Sequence, residues 1–184
     1  MGWGLPTTVE VAGRTFAIRS DFRAVLDAIE ALQDEEMPQA WRLSTFLKIL
    51  FLEYEKLSDV GAEGALRAAM EFINLGRPLP ENQPERIALV HWDTDVQLIA
   101  PAVDKVLGYS CRACTYLHWW DFVGAFQNIG KGLFAQVVSI RNKRAKGQAL
   151  DKAERAFARE NEELIGPVTR LTKEEEEFFR RMGV

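Results

Sequence analysis

Cys111-Arg-Ala-Cys114, with His118 four residues later, is the spacing in this chain that comes nearest to reactive chemistry. Two thiols at i and i+3 can ligate zinc or shuttle a disulfide. Zinc needs four ligands, and with two cysteines and two histidines in all, His91 would have to complete the set. A redox pair of this spacing belongs in a βαβ unit, whereas the surrounding pattern is helical. The pair therefore reads as two small residues in a loop before a helix, and neither a metal nor a cofactor is expected. Asp93-Thr-Asp95 offers two carboxylates, but a helix start wants acceptors and negative charge, and capping explains both. His118 and Asp121 stand at i, i+3 with no serine or cysteine elbow to activate. Trp119-Trp120 could stack nucleic-acid bases, yet at helical spacing with Phe122 and Phe126 the pair reads as core. Arg141, Lys143, Arg144 and Lys146 either meet an acidic partner or phosphate, or close a helix as solvated cations. A P-loop, an H-E-x-x-H helix and a dinucleotide fingerprint are all missing, so the residues point away from an enzyme.

The elements that must carry these residues are mostly helices. Val9, Val11, Phe16 and Ile18 alternate about Ala12-Gly13-Arg14, which predicts a small N-terminal β-hairpin. Ser20 or Asp21 caps a helix carrying Phe22, Val25, Leu26 and Ile29. The next helix is predicted over 39–56, with Leu43, Phe46, Leu47, Leu50 and Tyr54 on one face. Trp41, Ile49 and Leu52 form a second face nearly opposite, which is either sandwiched in the core or turned towards a partner. A third helix capped by Ser58 or Asp59 ends at Gly76. The proline-rich stretch 77–86 forms a loop between two halves. Beyond it, helical spacing is read from Val96 to Leu107, in the aromatic stretch Tyr116 to Phe126, from Leu133 to the basic end of Arg141, Lys143, Arg144 and Lys146, and over 150–165 with a seam of Leu150, Ala153, Phe157 and Leu164. Thr172 with the acidic run from Glu174 can cap a short terminal helix. The expected fold is mainly α, a bundle of about six to seven helices with one hairpin. Its divisions are 1–80, 81–166 with the His-Trp-Trp string, and a tail of 167–184, or else a single domain.

The chain has 184 residues, enough to bury a core. Its formal net charge of -4 argues against a primary role on nucleic acid. No apolar run approaches the roughly 20 residues of a membrane span.

Several strings together resemble the phage gene-product-fifteen family. They are Ile18-Arg-Ser-Asp21-Phe22-Arg23, Asp93-Thr-Asp95 through Ile99, Tyr116-Leu117-His118-Trp119-Trp120-Asp121-Phe122, and Val138-Ser-Ile140-Arg141. The resemblance runs from about Val9 to Leu164, and Asp21, Phe22, Arg23, His118, Trp119, Trp120 and Phe122 carry its motifs. It implies a tail assembly chaperone that binds the tape measure protein in the host cytoplasm and leaves before the virion is finished. Self-association and contact with tail tube subunits follow from the same role. The alternative is a tail completion or connector protein retained in the virion. The family supplies no catalytic residues. On the residues themselves, Trp41, Ile49 and Leu52 are the expected partner-binding face.

Overall fold

The computed structural model describes residues 3–34, 36–78, 87–166 and 169–170. Over these the fold is mainly α, with eight α-helical segments, one 3-10 helix and two short two-stranded sheets. They fall into two units. One is drawn from Met1–Leu79 and Thr115–Val123, the other from Pro80–Cys114 and Gly124–Val184. The segment holding His118, Trp119 and Trp120, expected in the C-terminal half, is part of the first unit. The loop expected over 77–86 and the terminal helix from Thr172 lie mostly or wholly outside the described residues.

In the first unit β1 (Thr8–Val11) and β2 (Arg14–Ala17) form the expected antiparallel hairpin, with Val11 opposite Arg14. Ala12 and Gly13 make the two-residue turn, and both have positive φ, 51° and 75°. That turn favours Asn-Gly, because an alanine Cβ is strained in the left-handed region. Ala12 is exposed, so Ala12→Asn should stabilise the unit by about 0.5–1 kcal/mol, read from the denaturant midpoint. An unchanged midpoint would mean that the turn is not strained.

Helix α1 (Phe22–Gln33) starts at the Asp21 cap, buries Phe22, Val25, Ala28 and Ile29, and packs on α2 (Gln39–Leu50). Helix α2 does not reach position 56. Arg19 places its guanidinium on the carbonyls of Lys48, Ile49 and Phe51, a favourable site for a cation. Phe51 turns extended and bridges to Ile18, while the Leu52 N–H donates to the Ala17 carbonyl. Pairing with the hairpin therefore replaces the last helical turns. Tyr54 opens a separate 3-10 helix (Tyr54–Asp59). Ser58 and Asp59 lie within it and so do not cap α3 (Ala62–Ile73), which begins after Gly61.

Helix α3 ends before Gly76. The Gly76 N–H donates to the Glu71 carbonyl and the Leu75 N–H to that of Phe72, a pair of bonds that satisfies carbonyls at the helix end. Leu75, at φ 58°, takes the left-handed position usually given to glycine. Gly76 itself has φ 75°, and a Cβ there would also stand 3.3 Å from the Trp120 ring.

In the second unit α4 (Val96–Leu107) buries Ile99, Ala100 and Val103 and stops at Gly108, which has φ 78°. Val96, expected on the same face, is exposed. Helix α5 (Trp119–Gln127) has its residues up to Val123 in the first unit and those from Gly124 in the second, and α6 (Leu133–Ala145) follows. The single helix expected over 150–165 is two, α7 (Lys152–Glu160) and α8 (Glu162–Ile165). They break at Asn161, where ψ is 37° and the side-chain amide donates to the Phe157 carbonyl. Asp151 and Glu154 form a reciprocal capping box at the start of α7. Val137, Ile140, Ala158 and Ile165 form the buried cluster beneath these helices, with Leu150, Phe157 and Leu164 packed around it. Ala153, read as part of the seam, is exposed, because the break carries Ile165 into the core instead. A two-residue sheet of β3 (Ile87–Ala88) and β4 (Thr169–Arg170) is too short to leave a pattern in the sequence.

Candidate functional site

Two motifs that stand 96 residues apart in the chain, around Asp21 and around Leu117, meet in the first unit. Asp21 caps α1 with Oδ1, which accepts from the Arg23 N–H at 3.0 Å. Its Oδ2 accepts from the Leu117 N–H, 96 residues away, also at 3.0 Å. Around this carboxylate the backbones pair as a short bridge. The Phe22 N–H donates to the Leu117 carbonyl at 2.9 Å, and the Trp119 N–H to that of Ser20 at 2.8 Å. The Arg23 guanidinium closes the group, bonded to both Asp21 oxygens and lying 4.6 Å over the Phe22 ring. Phe22 stacks on Phe122 at 4.5 Å, and Phe122 lies beside Trp119.

His118 is 2 % exposed, with both ring nitrogens engaged. Its Nδ1 accepts from the Trp120 N–H at 3.0 Å and so caps the start of α5. Nδ1 thus carries no proton, and Nε2–H donates to the Pro6 carbonyl at 2.9 Å. The two tryptophans then finish α3. The Trp119 indole N–H donates to the Ile73 carbonyl and that of Trp120 to the Phe72 carbonyl, both at 2.8 Å. Carbonyls in a helix's last turn have no partner within the helix, so two adjacent indoles form a C-terminal cap made of side chains. Asp121 is exposed, and no dyad with His118 is assembled. All seven motif residues are thus placed, and each is committed to holding the unit together. Trp120 is half-buried with its indole N–H spent.

The cysteine pair offers little reactivity. Burial, and next the neighbouring Asp104 carboxylate, push the Cys111 thiol up to about 12, so the thiolate that metal binding or nucleophilic attack requires is scarce. Burial alone would raise Asp104. Hydrogen bonds from the Cys111 N–H, at 2.6 Å, from the Cys111 thiol and from Ser110 outweigh it and hold the carboxyl below its usual value. The Cys114 thiol donates to the Cys111 carbonyl. Among the described residues no group of three His, Cys, Asp or Glu is placed to hold a metal ion.

The basic run on α6 is not a solvated patch. Arg141 is 4 % exposed, and all five of its N–H groups are used. Two go to Asp95, at 2.5 and 2.9 Å, and the others to the carbonyls of Leu89, Leu164 and Ile165. Asp95 likewise does not cap α4 with its side chain, as expected from the sequence; it accepts from the His91 N–H and from Arg141. Lys143 pairs with Glu154, and Arg144 forms a two-pronged pair with Glu162. Those hydrogen bonds hold both glutamate carboxyls below their usual value. Only Lys146 of the run lacks an ion-pair partner among the described residues. The Asp95–Arg141 pair was missed from the sequence, although one signal existed. Arg141 follows Val137 by four residues and so falls on the buried face of α6.

Of the three residues expected to meet a partner, Trp41 is 66 % exposed and Leu52 54 %, while Ile49 is half-buried. They do not form one stripe. Trp41 sits in the first turn of α2 beside a shallow hollow lined by Ala40, Ser44 and Thr45. Leu52 lies two residues past the helix end.

Residues 4–79 match the family described as Bacteriophage Gp15 protein. The match supports a role in phage structure or morphogenesis. It spans the hairpin through α3, which is the first unit without its segment Thr115–Val123. The similarity read from the sequence reached Leu164, so the His-Trp-Trp string lies outside the matched residues yet folds onto them. No curated protein and no solved structure matches the chain. Among the described residues no helix is long and apolar enough to cross a membrane.

Proposed function

We propose that this chain is a phage tail assembly chaperone, without catalytic activity, that binds the tape measure protein in the host cytoplasm and is absent from the finished virion. The observation that carries this reading is the contrast within the first unit. Its motif side chains are consumed internally, whereas Trp41 and Leu52 stand exposed at the two ends of α2. A large indole is seldom left in water without a use, and aromatic anchors are the usual centres of binding energy. A helical client lying along α2 would cover both in the helix-in-groove manner. Long amphipathic client helices would otherwise aggregate through their apolar faces, and covering those faces is the service a chaperone provides.

Trp41→Ala combined with Leu52→Glu tests this reading. Both side chains are exposed, so circular dichroism and the melting temperature should stay as in the parent protein. Co-purification with tape measure fragments should be lost, because each anchor is worth about 2 kcal/mol, roughly 30-fold in Kd. Binding that survives both changes would place the contact elsewhere. Mass spectrometry of purified virions separates the chaperone from a retained tail completion or connector protein, which would be found in the particle.

A further inference from the structure

The end of α5 and the adjoining face of α6 border an open hollow of about 350 Å³. Phe126, Ile129, Phe134 and Val138 give it an apolar lining, and Ser139 and Asn142 add polar atoms. The Phe126 and Phe134 rings stand 5.6 Å apart, and Ile129 and Val138 are half-buried. All of these residues belong to the second unit. At the small end of ligand-sized pockets, which start at about 300 Å³, the hollow has room for a few side chains.

Its surroundings are charged. Residues four apart share one side of a helix, so Phe134, Val138 and Asn142 lead along α6 to Lys146 just past its end. Lys131 stands before α6 at the other end. Both lysines are exposed, and neither has an ion-pair partner among the described residues. Arg141, Lys143 and Arg144 are already bound to Asp95, Glu154 and Glu162. Asp93, next to the Trp92 that packs on Phe126, is an exposed acid on the flank. Two cations thus stand against one acid, and the ligand that fits is an acidic segment carrying aromatic side chains.

Such a segment exists in the chain itself. Strand β4 pairs Thr169 and Arg170 with Ala88 and Ile87, and Leu89 just beyond gives its carbonyl to Arg141, the neighbour of Asn142. Fourteen residues follow Arg170, among them Glu174-Glu-Glu-Glu177-Phe178-Phe179. Residues 171–177 span up to about 25 Å when extended, against about 20 Å for the whole of α6, so Phe178 can reach the hollow from β4.

We propose that residues 171–184 dock in this hollow of their own molecule, with Phe178 and Phe179 on the apolar lining and Glu174–Glu177 towards the lysines. Burial of the rings holds the segment, and the exposed ion pairs add little strength and set its direction. The short tether keeps the segment at an effective concentration of about millimolar, so a modest contact suffices. The docking does not rest on the chaperone reading.

Photocross-linking of the full-length protein tests this. A photoreactive phenylalanine analogue in place of Phe179 should cross-link within one molecule, to residues 126–142 as mapped by mass spectrometry, in a yield unchanged by about tenfold dilution. Val138→Glu sets a charge in the lining and should lower that yield about tenfold or more. Lys131→Glu with Lys146→Glu changes exposed side chains only and should lower it about threefold. The circular dichroism of both variants should match the parent; should Val138→Glu unfold, the lysine variant still decides. Cross-links scattered over the surface, or confined to another element, overturn the proposal. So do cross-links between molecules, or a yield that the variants leave unchanged.

Discussion

Trp119→Ala should cost the first unit about 3–5 kcal/mol, the usual loss for deleting a buried aromatic side chain. Trp119 is fully buried, packs beside Phe122 and donates to the Ile73 carbonyl. A domain's whole stability is only about 5–15 kcal/mol, so the variant should be partly unfolded at 37 °C. Trp119→Phe separates the two contributions. It keeps most of the packing and leaves the Ile73 carbonyl without its indole, an expected loss of about 1–3 kcal/mol. Denaturant unfolding followed by far-ultraviolet circular dichroism reads both. An alanine variant within 1 kcal/mol of the parent, on the scale of exposed substitutions, would mean that the segment from Thr115 is not part of the first unit's core.

Arg141→Met should destabilise the second unit by about 3–5 kcal/mol, because it strands a buried carboxylate. Asp95 is 3 % exposed and would keep only the His91 N–H, while the carbonyls of Leu89, Leu164 and Ile165 lose their donor. Arg141→Lys should recover little. An ammonium has three donors radiating from one point and cannot reproduce the planar fork that serves four residues. Adding Asp95→Leu to Arg141→Met should regain part of the loss, since removing both charges costs less than removing one. Hydrogen exchange of α8 and urea midpoints measure the series. A double variant no better than the single would show that the carbonyl contacts, not the ion pair, hold α8.

The elements most legible in the sequence were those whose pattern is local. The hairpin is set by alternation around Ala12-Gly13, the start of α1 by Asp21, and the end of α4 by Gly108. Elements fixed by distant partners were misjudged. Helix α2 continues to position 56 by periodicity alone, but Arg19 and Ile18 claim its last turns. Asp95 reads as a cap until Arg141 arrives from 46 residues away. The site divided in the same manner. The family resemblance named Asp21, Phe22, His118 and Trp119 among its motifs, yet spacing could not show that an indole pair closes α3. Trp41 and Leu52 were legible as surplus apolar residues. That the helix end separates them was not, because the end is set by the hairpin.

The discontinuity of the first unit has a consequence for how the chain is made. Domains fold as units during synthesis, from the N-terminus onward. When residue 79 leaves the ribosome, every helix of the family-matched region has been translated, but the slot for Trp119 is still vacant. The nascent chain must carry that apolar opening, with the Ile73 and Phe72 carbonyls lacking their indole donors, until position 123 emerges. The unit that begins first is therefore completed only after more than half of the polypeptide has been synthesised.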